Sequence, residues 1–301
     1  MGYFESVFVL TGINIIAMLG VALMFGFTGL FTFGHAAFMG IGGYTCALLI
    51  LRGNVPYYLA LAGGVVAAVM CSLVIGYPTL RLKGDYFVVG SMGVGEIVAR
   101  LIEAWDGLTG GSRGLPGIPF RSTLLLVGII AVLCIVAVRN LLWSRHGFSF
   151  VAILENEMAA QTLGINVFKY KMIVFAISAG LAGLAGGLIG SYTTVLHPSM
   201  FGFQKSTELI IGVILGGVKS LTGSILAAFL VTLLPEVLRA VAEWRLVLYG
   251  ATVIFIIIAK PKGLLGYREI SPQSLCGFGR PRSVPGESAA PGAGAGEGGR
   301  S

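Results

Sequence analysis

Charge is scarce in this sequence. Asp, Glu, Lys and Arg make up 11% of its 301 residues, where a soluble domain carries about a quarter. A chain that is also 56% hydrophobic cannot clothe a water-facing surface, which excludes an ordinary soluble enzyme and leaves a polytopic membrane protein. Catalytic signatures are missing as well: there is no HExxH, no GxSxG, and no pair of carboxylates on a hydrophilic scaffold. Nor is there a GxxxxGK[ST] run, so the chain cannot grip ATP in a P-loop, and any ATP that powers it is bound by another subunit. Cysteine is sparse and scattered. Cys46, Cys71 and Cys134 lie in apolar stretches and Cys276 stands apart near the C-terminus, so neither a disulfide framework nor a metal site is expected. The net charge of +7 comes from cations placed singly between apolar stretches or in the C-terminal segment, which gives no basic stripe for nucleic acid.

What the sequence has in abundance is long apolar passages sprinkled with glycine, 46 in all, as in membrane helices whose backbones pack closely. A helix needs about 20 mostly apolar residues to cross roughly 30 Å of hydrocarbon. No Asp, Glu, Lys or Arg occurs between Glu5 and Arg52, an interval long enough for two crossings, with Gly26, Thr28, Gly29, Thr32, Phe33 and Gly34 as the break between them. Met1 to Ser6 carries no cationic leader, and the apolar run after it is too long for a cleaved signal, so it reads as the start of the first span. Further spans are expected near 57–77, 85–102, 122–138, 172–193, 205–217, 220–235 and 246–259, the 205–217 piece being short enough for a half-helix. The fold class is therefore an all-α, polytopic transmembrane bundle of about 8–10 spans with Gly-rich broken or re-entrant segments. With the N-terminus outside, Arg81, Lys83, Arg139, Arg145, Lys169, Lys171, Lys219, Lys260, Lys262 and Arg268 face the cytoplasm. Arg52, Arg100, Arg113, Arg121, Lys205, Arg239 and Arg245 face outward, a modest positive-inside bias. Residues 271–301, rich in Gly, Pro, Ala and Ser, cannot offset the entropy of ordering and read as a disordered tail. The membrane domain is thus 1–270. A formal G-x-G-x-x-G at Gly294, Gly296 and Gly299 follows from the composition of that tail and has no strand–helix context.

Four segments carry the most information. In 26–49, His35 is the one ionisable side chain: it either lines a pathway or is a neutral imidazole bonded to a backbone carbonyl near the break. In 78–119, Glu96 and Arg100 stand four apart in the favourable order for a helical ion pair, which serves either a translocation path or the stability of the helix. The loop Thr109–Pro119 that follows either meets an external partner or turns the chain. The connector 139–171 is hydrophilic. Ser149 is suited to cap a helix whose apolar face holds Val151, Leu154 and Met158, and Gly164 suits the left-handed turn that ends it. Its acids Glu155 and Glu157 favour a protein groove over lipid headgroups. In 172–193, Ala179, Gly183, Gly187 and Ala182, Gly186, Gly190 form two rows of small residues for close helix contact. Beyond them, the Gly-rich stretch 215–224 with Lys219 fits a re-entrant turn or a hairpin.

Five ordered segments, GFTGLFTFGHAAFMGIGGYTCALL, LRLKGDYFVVGSMGVGEI, DGLTGGSRGLPGIP, ENEMAAQTLGIN and ELIIGVILGGVKSLTGSILAA, resemble the LivM-type permease of bacterial branched-chain amino acid ABC importers, over about residues 13–266. The resemblance implies a multi-pass protein of the bacterial inner (plasma) membrane. It also implies as partners a second, LivH-type permease, two cytoplasmic ATPase subunits, and a periplasmic or extracellular amino acid binding protein. No cofactor is expected in this chain, ATP being used by the partners. Importer permeases carry a cytoplasmic EAA-x3-Gly motif that docks on the ATPase. Ala159, Ala160 and Gly164 match its spacing, while Met158 stands at the glutamate position and Glu157 one place earlier is the substitute. The expected coupling residues are therefore Glu157, Ala159, Ala160 and Gly164, with His35 and Glu96 as candidates for the translocation path. The competing reading is a secondary transporter or channel that works without ATP, which needs an ion-coupling Asp, Glu or His in the membrane. An integral membrane enzyme is disfavoured by the lack of clustered acids, histidines or a nucleophile. Urea or short amides stay open as alternative solutes.

Overall fold

The computed structural model describes residues 3–82 and 84–237, together with Gly250 and Ile258. The expected span at 246–259, apart from Gly250 and Ile258, the tail 271–301 with its glycine match, and the cations Lys83, Arg239, Arg245, Lys260, Lys262 and Arg268 lie outside the described residues.

Within them the chain is helical almost throughout: α1 (Tyr3–Val21), α2 (His35–Leu51), α3 (Tyr57–Thr79), α4 (Asp85–Ala104), α5 (Asp106–Thr109), α6 (Leu124–Leu142), α7 (Arg145–Glu155), α8 (Glu157–Thr162), α9 (Val167–Thr193), α10 (Phe203–Gly216) and α11 (Leu221–Val237). One two-residue antiparallel pair joins β1 (Leu115–Pro116) to β2 (Val195–Leu196). By length and composition, four helices are long and apolar enough to cross a membrane: Glu5–Gly26, Tyr57–Thr79, Leu124–Leu142 and Val167–Thr193. His35–Leu51 and Leu221–Leu234 are apolar but shorter. The chain is a multi-pass, all-α membrane bundle. Its apolar exterior is carried by α3 and α6, where Tyr58, Val66, Met70, Leu125, Val132 and Leu133 point outward, as lipid-facing side chains do.

The expected break comes where the glycines place it. A π-helical turn over Ala22–Gly26 closes the first span, residues 29–34 are not helical, and the next helix begins at His35. Gly29 takes φ +70°, a conformation cheap only for glycine. Helix α2 therefore begins inside the bundle rather than at its edge: a side chain at Gly34 would meet the backbone of Ser91, in α4, at 2.6 Å.

Helix α9 is the centre of the bundle, and both rows of small residues on it are used. Gly183 and Gly186 lie against α2, where a Cβ on Gly43 would come within 2.8 Å of the Gly186 carbonyl. Gly183 and Gly187 lie against α3, facing Ala68 and Leu61 at 2.5 Å. Without side chains the helices meet backbone to backbone, the mode of association that apolar surroundings favour over hydrophobic packing. Helix α9 also starts earlier than the expected 172. Asn166 caps it, its Oδ1 accepting from the Lys169 N–H at 3.1 Å, so Lys169 and Lys171 belong to its first turns.

Helix α10 is short, as expected: its 14 residues rise about 21 Å, less than the roughly 30 Å of hydrocarbon. It turns at Gly217, φ +112°, into α11, so the 215–224 stretch is a helical hairpin. At the opposite end, the Thr109–Pro119 loop is built rather than loose. The Thr109 hydroxyl donates to the Ile102 carbonyl at 2.6 Å, the Arg52 guanidinium donates to the Gly107 carbonyl, and β1 pairs with β2.

Candidate coupling element and transport face

The connector between α6 and α9 folds into two short helices, not one. Ser144 starts α7, its Oγ accepting from the His146 N–H at 3.3 Å. Ser149, expected as the cap, lies inside α7, and its hydroxyl bonds back to the Arg145 carbonyl at 3.4 Å. Of the expected apolar face, Val151 and Met158 are exposed and Leu154 is half-buried, while Gly147, Phe150 and Ile153 are the residues turned toward the bundle. The helix turns on Phe150, whose large ring outweighs Val151 in buried area and packs against Tyr170 at 6.1 Å. At Asn156 the backbone becomes extended and the side chain caps a new helix, Oδ1 accepting from the Ala159 N–H at 3.0 Å. Asparagine offers the backbone this local alternative to helix continuation.

The four expected coupling residues come together in the second helix and its exit. Glu157 opens α8, Ala159 is exposed, Ala160 is buried against Ile153 and Val167, and Gly164 takes φ +81° to turn the chain toward α9. Met158 and Leu163, each 78% exposed, stand out on either side of the alanines as large apolar projections. Two ion pairs fasten the unit to the bundle. The Glu157 carboxylate takes Lys171 Nζ at 2.7 Å, on the first turns of α9, and Glu155 takes Lys219 Nζ at 2.6 Å, in the α10–α11 turn. The acids that suggested a partner groove are thus engaged within the chain. Leu154 reaches the break before α2, 3.2 Å from where a Cβ on Gly29 would stand. Between α7–α8, that break and the α3–α4 turn opens a cleft of about 950 Å³, lined among others by Gly29, Phe31, Arg81, Asp85, Glu155 and Lys171. Arg81, Lys171 and Lys219, all expected on the cytoplasmic side, therefore gather at one end of the bundle.

The two candidates for the translocation path are not neighbours. His35 is 1% exposed and sits where α1, α2 and α9 meet. Its Nδ1 lies 3.3 Å from Ser178 Oγ, which itself donates to the Gly20 carbonyl at 2.8 Å. Its Nε2 faces the α1 backbone beside Gly20, a site of three-helix contact rather than an open surface. Glu96 instead stands on the partly open face of α4. It lies 4.0 Å from Arg100 Nε, while Arg100 holds Glu103 more closely at 2.7 Å. Its other oxygen accepts from the Phe203 N–H at 3.4 Å, which joins α4 to the start of α10.

A further polar group escapes single-segment reading because its members are about 200 residues apart. Asn14 of α1 donates to the Thr232 hydroxyl at 2.9 Å, and its carbonyl oxygen accepts from Lys205 Nζ at 3.1 Å, which also bonds Glu208 at 3.2 Å. An Asn inside the first apolar span was the available signal. Buried polar groups are retained where they find partners, and here they lock α10 and α11 to α1.

Comparison with known proteins fits this architecture. Residues 3–257 match the family described as branched-chain amino acid transport system, permease component. The chain belongs to that family. It is 32% identical over 292 residues to the high-affinity branched-chain amino acid transport system permease protein LivM of Salmonella typhimurium, covering 85% of this chain and 68% of the relative. The LivH permease of Escherichia coli is 24% identical over 284 residues, covering 84% and 91%. The autoinducer 2 import permease LsrC of Escherichia coli is 26% identical over 243 residues, covering 72% and 68%. No solved structure matches the chain. This chain is therefore a transport permease component.

Proposed function

We propose that this chain is the LivM-type permease of a bacterial importer for branched-chain amino acids. It works without catalysing a reaction and without a cofactor of its own, in the inner (plasma) membrane. Its partners are a second, LivH-type permease, two cytoplasmic ATPases that use the ATP, and a periplasmic or extracellular amino acid binding protein. Residues 1–270 are the permease domain and 139–171 its cytoplasmic coupling loop. The observation that carries this reading is the α7–α8 unit, which presents Met158, Ala159 and Leu163 outward from a frame fixed by Ala160, Gly164 and the Glu157–Lys171 pair.

Flanking apolar projections around a small residue form a knob for a groove on another protein, since exposed large apolar side chains at the end of a bundle gain most by burial in a partner. Closure of two ATP-bound partners displaces the knob. Glu157–Lys171 passes the displacement to α9, and Glu155–Lys219 passes it to the α10–α11 turn. A partner shifts the permease between inward and outward states only by binding one of them better. Glu96, on the partly open face of α4, belongs to the path in this scheme, and His35 to the fixed contact of α1, α2 and α9 beside it. The ATP-independent alternative needs an ion-coupling carboxylate in the membrane. Glu208 already has Lys205 as its counter-ion, which leaves Glu96 as the candidate on which that alternative rests.

The test is site-directed crosslinking in the assembled complex. Met158→Cys and Leu163→Cys should crosslink to a cysteine-bearing ATPase, with yields that change between ATP-bound and nucleotide-free states. Labelling of both positions from the periplasmic side, or leucine uptake by this chain alone on an ion gradient, overturns the reading.

A further inference from the structure

Three phenylalanine rings follow edge to face along the broken segment, and a fourth, Phe203 at the start of α10, lies tilted against the last of them. Phe25 and Phe31 have ring centroids 5.0 Å apart, Phe31 and Phe33 5.1 Å, and Phe33 and Phe203 5.0 Å. None of the four is buried, and Phe203 is 39% exposed. The ladder runs from a wide cleft to a closed seam. Phe31 lines the large cleft beside α7–α8, while Phe33 and Phe203 line, with Ala37, Met92, Gly95 and Glu96, a crevice too tight in this state to hold a water. Eleven residues of α4 separate Asp85, in the cleft, from Glu96, in the crevice, a rise of about 17 Å and roughly half the hydrocarbon thickness.

Lipid is the wrong neighbour for this face. Residues 29–34 are not helical, and irregular backbone at membrane depth is tolerated only where protein covers it or where it lines a water-filled cavity. The crevice also holds the Glu96 carboxylate, whose contact with Arg100 is long at 4.0 Å because Arg100 is drawn to Glu103 at 2.7 Å. A carboxylate above a track of partly buried aromatic rings complements a small ligand with an ammonium group and an apolar side chain. We propose that Phe25, Phe31, Phe33 and Phe203, headed by Glu96, form the surface over which an α-amino acid with a branched apolar side chain passes. Glu96 receives the ammonium group and the rings receive the side chain. The track rests on the transport reading above and adds to it the residues that touch the solute.

The experiment uses the complete complex in liposomes, with the four native cysteines replaced by alanine. Phe33→Cys and Phe203→Cys should react with a water-soluble methanethiosulfonate more than about tenfold faster than Val132→Cys on the lipid-facing side of α6, because thiolates form only in contact with water. Saturating leucine-loaded binding protein with ATP should change the first two rates and leave the third alone. In the native-cysteine complex, Phe33→Ala should lower kcat/KM for leucine by about tenfold, the order of one lost aromatic contact, and Phe33→Leu should restore most of it. Binding-protein-stimulated ATP hydrolysis shows that each variant assembles. ATP-driven leucine uptake with labelling at Phe33 and Phe203 no faster than at Val132, or with kcat/KM unchanged in Phe33→Ala, overturns the track alone. Absence of ATP-driven uptake in the unmutated complex overturns the transport reading beneath it.

Discussion

Where α2 crosses α9, glycines 43 and 186 leave no room for a methyl group. A Cβ on Gly43 would stand 2.8 Å from the Gly186 carbonyl oxygen, and at the adjoining α2–α3 contact one on Gly64 would stand 2.5 Å from that of Gly42. The α7–α8 unit touches the bundle quite differently, through the Phe150 ring, the small Ile153–Ala160–Val167 patch and two partly exposed ion pairs. One region is fixed by the shape of backbones and has a single arrangement. The other is fixed by a few side chains and can shift against its support. A device that converts partner motion into rearrangement needs both, a body that does not deform and a lever that is lightly seated. Packed interiors transmit a push because they compress so little.

The sharpest way to break the contrast is to thicken the centre. Gly186→Val places its Cβ on the Met39 carbonyl, backbone that cannot step aside. The loss should exceed about 3 kcal/mol, the upper end of overpacking costs, and appear as failure of the chain to be recovered as a monodisperse complex in detergent. Gly93→Ala is the matching control, since a Cβ there meets nothing within 4 Å; recovery equal to the parent is expected. Next in size is removal of the wedge that seats the lever. Phe150 is fully buried, and Phe150→Ala should cost about 3–5 kcal/mol locally, freeing α7–α8 without unfolding the bundle. Faster trypsin cleavage at Arg145 and Lys169, with α9 intact, checks this; unchanged cleavage would show that the ion pairs alone hold the unit.

The rigid half of this contrast was legible in sequence, and the lever only in outline. Gly26 to Gly34 announces a break because no other residue tolerates φ +70° at Gly29 so cheaply, and the four-residue spacing of Ala179, Gly183 and Gly187 announces a groove whatever the neighbour is. These are properties of one segment. The α7–α8 unit depends on what lies beneath it. Ser149 is a sound cap on local grounds, and it is packing reached only in the folded chain, such as that of Phe150 on Tyr170 after the reversal at Gly164, that turns Phe150 inward. The pairing of Glu155 with Lys219 spans 64 residues, and that of Asn14 with Lys205 spans 191. No periodicity in a single window contains either.

The smallest expected change in stability carries the most mechanistic weight. Glu155 and Lys219 side chains are 63% and 37% exposed, and a pair so open to solvent contributes no more than about 1 kcal/mol after screening. Lys219→Glu should therefore leave the thermal stability of the complex within about a degree or two of the parent. If the pair is the link between lever and hairpin, the same substitution raises the number of ATP molecules hydrolysed per leucine imported several-fold, with hydrolysis itself little changed. The exchange Glu155→Lys with Lys219→Glu re-forms the contact in reverse and should bring the ratio back toward the parent. A purely structural pair predicts instead that hydrolysis and uptake fall together, or that neither moves. High salt separates the two further, since a screened surface contact weakens between 0.1 and 1 M as the Debye length drops from about 10 to 3 Å. Coupling in the parent should then loosen with salt while coupling in Lys219→Glu, already uncoupled, stays where it is.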